Sequence, residues 1–129
     1  LRDNKPIVSG LYRRRLPPYE PMAFVKDQKG RYRPIAIDLK EKKGNLRRVD
    51  VVGAGCLLIQ REVFEKIEPP WFTSEWKNEG HLSEDFSFCE KARSRGFEIY
   101  VDRSASALHL EPIGVGTAPD GSARLIPLE

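Results

Sequence analysis

Two adjacent carboxylates, Glu84 and Asp85, follow a serine in the run His81-Leu-Ser-Glu-Asp-Phe-Ser-Phe-Cys-Glu-Lys-Ala-Arg-Ser-Arg-Gly96. Ser83 is a helix-capping residue type, and Phe86, Phe88, Cys89 and Ala92 recur at helical spacing. The run therefore predicts a helix that starts at the acidic pair, with Gly96 placed to close it in a left-handed conformation. The free N–H groups and the macrodipole at a helix start favour negative charge. A carboxylate held there can accept a proton from an attacking hydroxyl within hydrogen-bond reach. Acids also occur in first turns with no chemical duty, and the local pattern leaves both readings open.

Three other groups have the residue types for a site. Gly53-Ala54-Gly55 lies between two strand-like runs. A phosphate-cradling loop would lead into a helix, so the two glycines are better read as allowing close approach by a ligand or a neighbouring strand. Trp71, Phe72 and Trp76 cluster ahead of the acidic pair, either as core residues or as a platform for a flat ligand such as a sugar ring. His109 ends an alternating run. It and His81 are each a structural histidine or a metal ligand whose partners the spacing does not supply. Cys56 and Cys89 stand far apart in apolar contexts and are expected to be buried free thiols.

The chain has 129 residues, 40% hydrophobic and 32% charged, which fits one soluble domain. No apolar run approaches the roughly 18 residues that span a bilayer. No secretory signal is visible, so a cytoplasmic location is expected. The net charge is +3, with basic residues gathered in Arg13-Arg14-Arg15 and again from Lys40 to Arg48. Such clusters bind phosphate, nucleic acid or an acidic membrane face, or simply form solvated surface.

The elements that would position these groups are mostly strands. Residues 6–12 read as a strand with Gly10 inside it, and 16–21 as a proline-rich loop. Residues 22–25 and 31–37 read as a hairpin around Asp27–Gly30. Residues 46–52 form a further strand, and 56–59 a buried one. A helix follows over 61–67, stopped by Pro69-Pro70. Residues 71–82 read as irregular. After the Glu84–Arg95 helix come strands at about 98–101 and 105–110, then an extended tail over 111–129. The fold class expected is α/β, a mixed sheet with two main helices.

In this order, the Gly-Ala-Gly turn, Arg61-Glu-Val-Phe64, Trp71-Phe72, Ser83-Glu-Asp85, Gly96, Tyr100-Val-Asp102 and His109 resemble a known pattern. It is that of the C-terminal half of inverting nucleotide-sugar glycosyltransferases of the GT-A fold, family 2 type, over residues 5 to 110. The resemblance implies that Asp85 is the general base toward the acceptor hydroxyl and that Glu84 supports it. It implies that Gly53, Ala54, Gly55, Trp71, Phe72 and Trp76 line the acceptor side, and that His109 completes a divalent-metal site for Mn or Mg. The partners implied are a nucleotide-sugar donor and a hydroxyl-bearing acceptor. The family's donor-binding half and its Asp-x-Asp motif are not in the chain, so residues 1–110 are expected to be a partial transferase domain, inactive alone. A truncated sheet would expose an edge and favour a homo-oligomer. The contrasting expectation is a non-catalytic basic module that contacts nucleic acid or an acidic partner through residues 13–15 and 40–48.

Overall fold

The computed structural model describes residues 3–37, 44–77 and 80–128. Along the chain the elements are β1 (Ile7–Leu11), β2 (Ala23–Lys26), β3 (Tyr32–Pro34), β4 (Leu46–Val49), β5 (Val51–Val52), β6 (Leu57–Ile59), α1 (Arg61–Lys66), β7 (Glu75–Lys77), β8 (Gly80–Leu82), α2 (Glu84–Ser94), β9 (Ile99–Ser106), β10 (Ile113–Thr117) and β11 (Ala123–Pro127). The fold is mixed α/β, with several small sheets and two helices. Among the described residues no helix is long and apolar enough to cross a membrane.

The main sheet has the order β4-β9-β1-β6. Its centre is the parallel pair β1 and β9, in register from Ile7 opposite Ile99 to Gly10 opposite Asp102. Four successive residues of β1 are buried, Ile7 to Gly10, as expected of a central strand covered on both faces. The antiparallel strands β4 and β6 form the edges. A second sheet, β3-β2-β5, stands beside it.

One run of residues serves both sheets. The sequence reads 46–52 as a single strand, but the chain breaks step at Asp50. The Asp50 carboxylate accepts the Lys26 amide at 2.6 Å and pairs with the Arg93 guanidinium of α2 at 3.3 Å. Each oxygen of this aspartate thus has a donor outside its own strand. The strand changes partner there, from β9 before Asp50 to β2 after it.

Helix α2 lays Phe88, Cys89 and Ala92 into the core formed by Ile7, Val51, Val52, Val63, Ile99 and Val101. Burial pushes the Cys89 thiol up to about 11, and both cysteines are free, Cys89 buried and Cys56 half-buried. Ser83 sits at the helix cap, though its side chain makes no cap hydrogen bond. Gly96 closes the helix with φ at 87°. The expected hairpin around residues 27–30 is present, and the Asp27 carboxylate secures its turn by accepting the Lys29 and Arg31 amides at 2.8 and 2.9 Å.

Four segments differ from their expected form. Residues expected as two strands, 98–101 and 105–110, make one long strand, β9, which ends before His109. Residues 71–82 contain the β7–β8 hairpin. Strand β6 is an edge, so Leu58 is 47% exposed where a buried strand was expected. The expected extended tail folds back on itself as the β10–β11 hairpin around Gly121. In the tail, short Gly- and Pro-rich stretches leave little hydrophobic periodicity, which is why the β10–β11 pairing was not visible.

Phe88 has no solvent exposure and stacks on Phe72 at 4.6 Å between ring centroids. Phe88→Ala is expected to cost about 3–5 kcal/mol of folding stability. Urea unfolding measures this, and a loss under about 1 kcal/mol would mean that α2 is not packed as described.

Candidate functional site

Asp85 occupies the first turn of α2 and is half-buried. Its Oδ2 accepts the backbone N–H of Ala54 at 3.0 Å. The next amide, that of Gly55, donates to the Tyr12 hydroxyl at 2.9 Å. Helix start, Gly-Ala-Gly turn and the residue after β1 are therefore joined by two consecutive backbone donors. Among the described residues no Lys or Arg lies within ion-pair distance of Asp85. One carboxylate oxygen is held and the other has no described partner.

The glycines are explained by Tyr12. A Cβ on Gly55 would stand 2.8 Å from the tyrosine ring, and one on Gly53 would meet the Tyr12 hydroxyl and the Met22 methyl. The turn thus curls around the ring of a buried tyrosine, 7% exposed. Burial, the main cause, and the Asp85 charge push the Tyr12 hydroxyl above its ordinary value of 10, against the pull of the Gly55 amide. The phenol stays neutral at physiological pH, with its own proton still to give.

Tyr12 also meets His109, edge to face, at 5.7 Å between ring centroids. His109 Nδ1 lies 2.8 Å from the Arg13 carbonyl. A carbonyl can only accept, so Nδ1 carries the proton and Nε2 holds the lone pair when the ring is neutral. His109 is exposed and lines a cavity of about 400 Å³ with Arg13, Arg14, Arg15, Tyr19 and Glu111. This cavity lies beyond the carboxyl ends of the parallel strands β1 and β9, the place where open α/β sheets bind ligands. Glu111 pairs with Arg15 at 3.3 Å and Glu20 with Arg14 at 3.9 Å, leaving the wall basic.

Of the residues singled out in the sequence, the structure joins Asp85, Gly53, Ala54, Gly55 and His109 through Tyr12. Glu84 is exposed at the same helix start, with Ser74 Oγ donating to it at 3.4 Å. The aromatic trio is not brought together as a platform. Phe72 stacks on Phe88, and Trp71 packs against Phe64 while its indole N–H donates to the Ile67 carbonyl at 2.8 Å. Trp76 stands apart, 83% exposed, beside His81 on the β7–β8 hairpin. Sequence reasoning missed Tyr12 as the residue that links the others. The only signal was the glycine pair, which leaves space without saying what fills it.

A metal was expected at His109. His109 offers one lone pair, its neighbours in the cavity are three arginines, and the one nearby carboxylate, Glu111, already pairs with Arg15. Among the described residues no group of three His, Cys, Asp or Glu could hold a metal ion. The described residues do not by themselves make a divalent-metal site.

A second cleft, about 610 Å³, opens between the β2–β3 and β7–β8 hairpins. Lys26, Lys29, Arg31, Lys77 and His81 line it around Glu90. Glu90 accepts from Tyr32 at 2.5 Å and from Lys77 at 2.7 Å, with Lys26 at 3.6 Å. Of the expected basic run 40–48, Lys40, Lys42 and Lys43 lie outside the described residues. Arg47 and Arg48 are tied to the Ala36 carbonyl and to Glu98.

Compared with protein-family models, with curated proteins and with solved structures, the chain matches none.

Partial burial raises the Glu90 carboxyl, but the hydrogen bonds from Lys77 and Tyr32 outweigh it, and the group titrates below its ordinary 4.5. A carboxylate with a depressed folded value stabilises the fold above its unfolded value and loses that contribution as pH falls through the folded one. Glu90→Gln is therefore expected to flatten the acid side of the stability curve below about pH 4.5. Urea midpoints of both proteins across that range test it, and parallel curves would remove Glu90 from the account.

Proposed function

We propose that this chain carries the acceptor and catalytic-base part of a glycosyltransferase that uses a nucleotide-sugar donor. The observation that carries the reading is the half-exposed Asp85 carboxylate, with one oxygen fixed by the Ala54 amide and the other without a described partner. A base needs both properties: a fixed position and an oxygen that can reach a hydroxyl. Asp85 would take the proton of the acceptor hydroxyl as its oxygen bonds to the anomeric carbon of the donor sugar. The bond to the diphosphate breaks in the same displacement, and the diphosphate leaves with the electron pair.

The basic cavity supports the other half of this reading. Arg13, Arg14, Arg15 and His109 surround a space suited to the negative charge of a diphosphate; Asp85 does not line it, and the link between them runs through Tyr12 and the Gly53–Gly55 turn. Fixed cations placed where charge develops stabilise a transition state more than water does. No step here is routed through a metal, because the described residues do not by themselves make a site for one. The substrate class in this proposal rests on the resemblance of the Gly-Ala-Gly, Ser-Glu-Asp and His succession to GT-A transferases.

A second reading, binding of single-stranded nucleic acid, is favoured by one observation. His81 lines the Lys- and Arg-lined cleft and exposed Trp76 packs beside it, 5.0 Å between ring centroids, giving the mix of basic and aromatic residues that stacks bases and tracks phosphates.

In the protein that carries this chain, Asp85→Asn is expected to cut transfer from a nucleotide-sugar by about 10²- to 10⁴-fold while donor affinity holds. Nucleotide release over a panel of donors, with calorimetry for donor binding, measures both. Transfer at the unaltered rate, lost donor affinity in a folded variant, or no release with any donor would sink the proposal. For the second reading, fluorescence anisotropy with a short labelled oligonucleotide is expected to show affinity falling steeply with salt and weakened by Lys29→Glu with Arg31→Glu. Salt-independent or absent binding removes that reading.

A further inference from the structure

The loop over residues 13–21, between β1 and β2, is closed by its own backbone. Arg13 and Pro21 bridge as an antiparallel pair, the Arg14 amide donates to the Glu20 carbonyl at 2.9 Å, and the Tyr19 amide donates to the Leu16 carbonyl at 2.9 Å. These bonds bring Tyr19 back beside the arginine triplet. Its carbonyl accepts from the Arg13 guanidinium at 3.0 Å, and the residue lines the cavity of about 400 Å³ together with the three arginines and His109. Tyr19 holds a left-handed backbone, with φ at 58°. An ordinary Cβ crowds the following carbonyl there, so turns favour Gly, Asn or Asp at such positions. Strain of this kind persists only where the surroundings impose it, and it gathers at functional sites. Packing within the chain does not account for a tyrosine here. The residue is 51% exposed, and among the described residues its ring meets no other aromatic ring and its hydroxyl has no hydrogen-bond partner.

The loop thus presents a flat ring at the wall of a cavity lined by cations. A π-face stacks any base, and guanidinium groups match the oxygens of phosphate. Each guanidinium carries several N–H donors, so the single ion-pair contacts of Arg14 with Glu20 and of Arg15 with Glu111 leave donors for a ligand. The volume of the cavity falls among those of small-molecule sites. We propose that Tyr19 is the platform on which the nucleobase of a nucleoside diphosphate stacks, with Arg14 and Arg15 turned to its phosphates. The inference rests on the reading of this cavity as the diphosphate end of a nucleotide-sugar site, and it names the residue that holds the nucleoside end. Stacking tolerates any base, so the platform takes a purine and a pyrimidine alike.

The test is titration calorimetry on the full chain with inorganic pyrophosphate, UDP and ADP, in buffer that contains a metal chelator. UDP and ADP are expected to bind about 5- to 100-fold tighter than pyrophosphate, the range that stacking of one base supports. Tyr19→Ala should bring both nucleotides down to the pyrophosphate affinity and leave pyrophosphate unchanged, whereas Tyr19→Phe should keep the preference. Arg14→Ala with Arg15→Ala should weaken all three ligands. No binding of any ligand, equal binding of all three by the unaltered chain, or a preference that survives Tyr19→Ala would each overturn the proposal. Pyrophosphate binding without a nucleotide preference removes the platform and leaves the diphosphate wall standing. A preference that follows Tyr19, beside unaltered transfer in Asp85→Asn, upholds the platform and sinks the transferase reading.

Discussion

The arrangement depends on how closely the first turn of α2 can approach the Gly53–Gly55 turn. One contact fixes that distance, the Ala54 amide donating to Asp85 at 3.0 Å. It is possible only because the turn is thin. Side chains at Gly53 or Gly55 would collide with Tyr12, and the turn would have to shift from the position in which Ala54 reaches the helix. Close packing in protein interiors leaves no slack to absorb such a shift. The same two glycines that admit the tyrosine ring therefore place the carboxylate.

The supports behind this contact are ordinary core packing. Phe88, Cys89 and Ala92 anchor α2 against Val51 and Val52, the strand that leads directly into the glycine turn. Asp50 adds a polar lock at the far end of that strand, holding Lys26 of one sheet and Arg93 of the helix together. Helix and turn are thus fixed at both ends of β5. A carboxylate presented on rigid elements, with its position set by packing, is better placed for chemistry than one on a loop.

The legible part of the fold was its regular part. Helix α2 announced itself through its apolar spacing, its acidic first turn and Gly96, and the 23–34 hairpin through its Asp27–Gly30 turn. Asp85 and the glycine turn were readable as residue types, but their contact spans 31 positions and no periodicity encodes it. Tyr12 was hidden for the same reason. The split at Asp50 was hidden because a charged residue inside a strand run looks like a solvent-facing position until its partners are known. The aromatic trio misled in the opposite way. Four positions apart in sequence, Phe72 and Trp76 go separate ways because Phe72 gains a stacking partner in Phe88 while the hairpin turns Trp76 outward.

The charges around His109 bear on what kind of ligand the basic cavity favours. A divalent cation and a diphosphate make opposite demands on a wall. The cation needs several anionic or lone-pair donors converging on one point, whereas the diphosphate needs fixed cations spread along its length. Arg13, Arg14 and Arg15 follow one another just beyond β1, and all three line the cavity. Glu111, which would serve a metal, is instead paired with Arg15. The hydrogen bond from Nδ1 to the Arg13 carbonyl orients His109 within the same wall. The three arginines thus make the wall lean toward an anion, and the parallel strands β1 and β9 deliver them and His109 to one place.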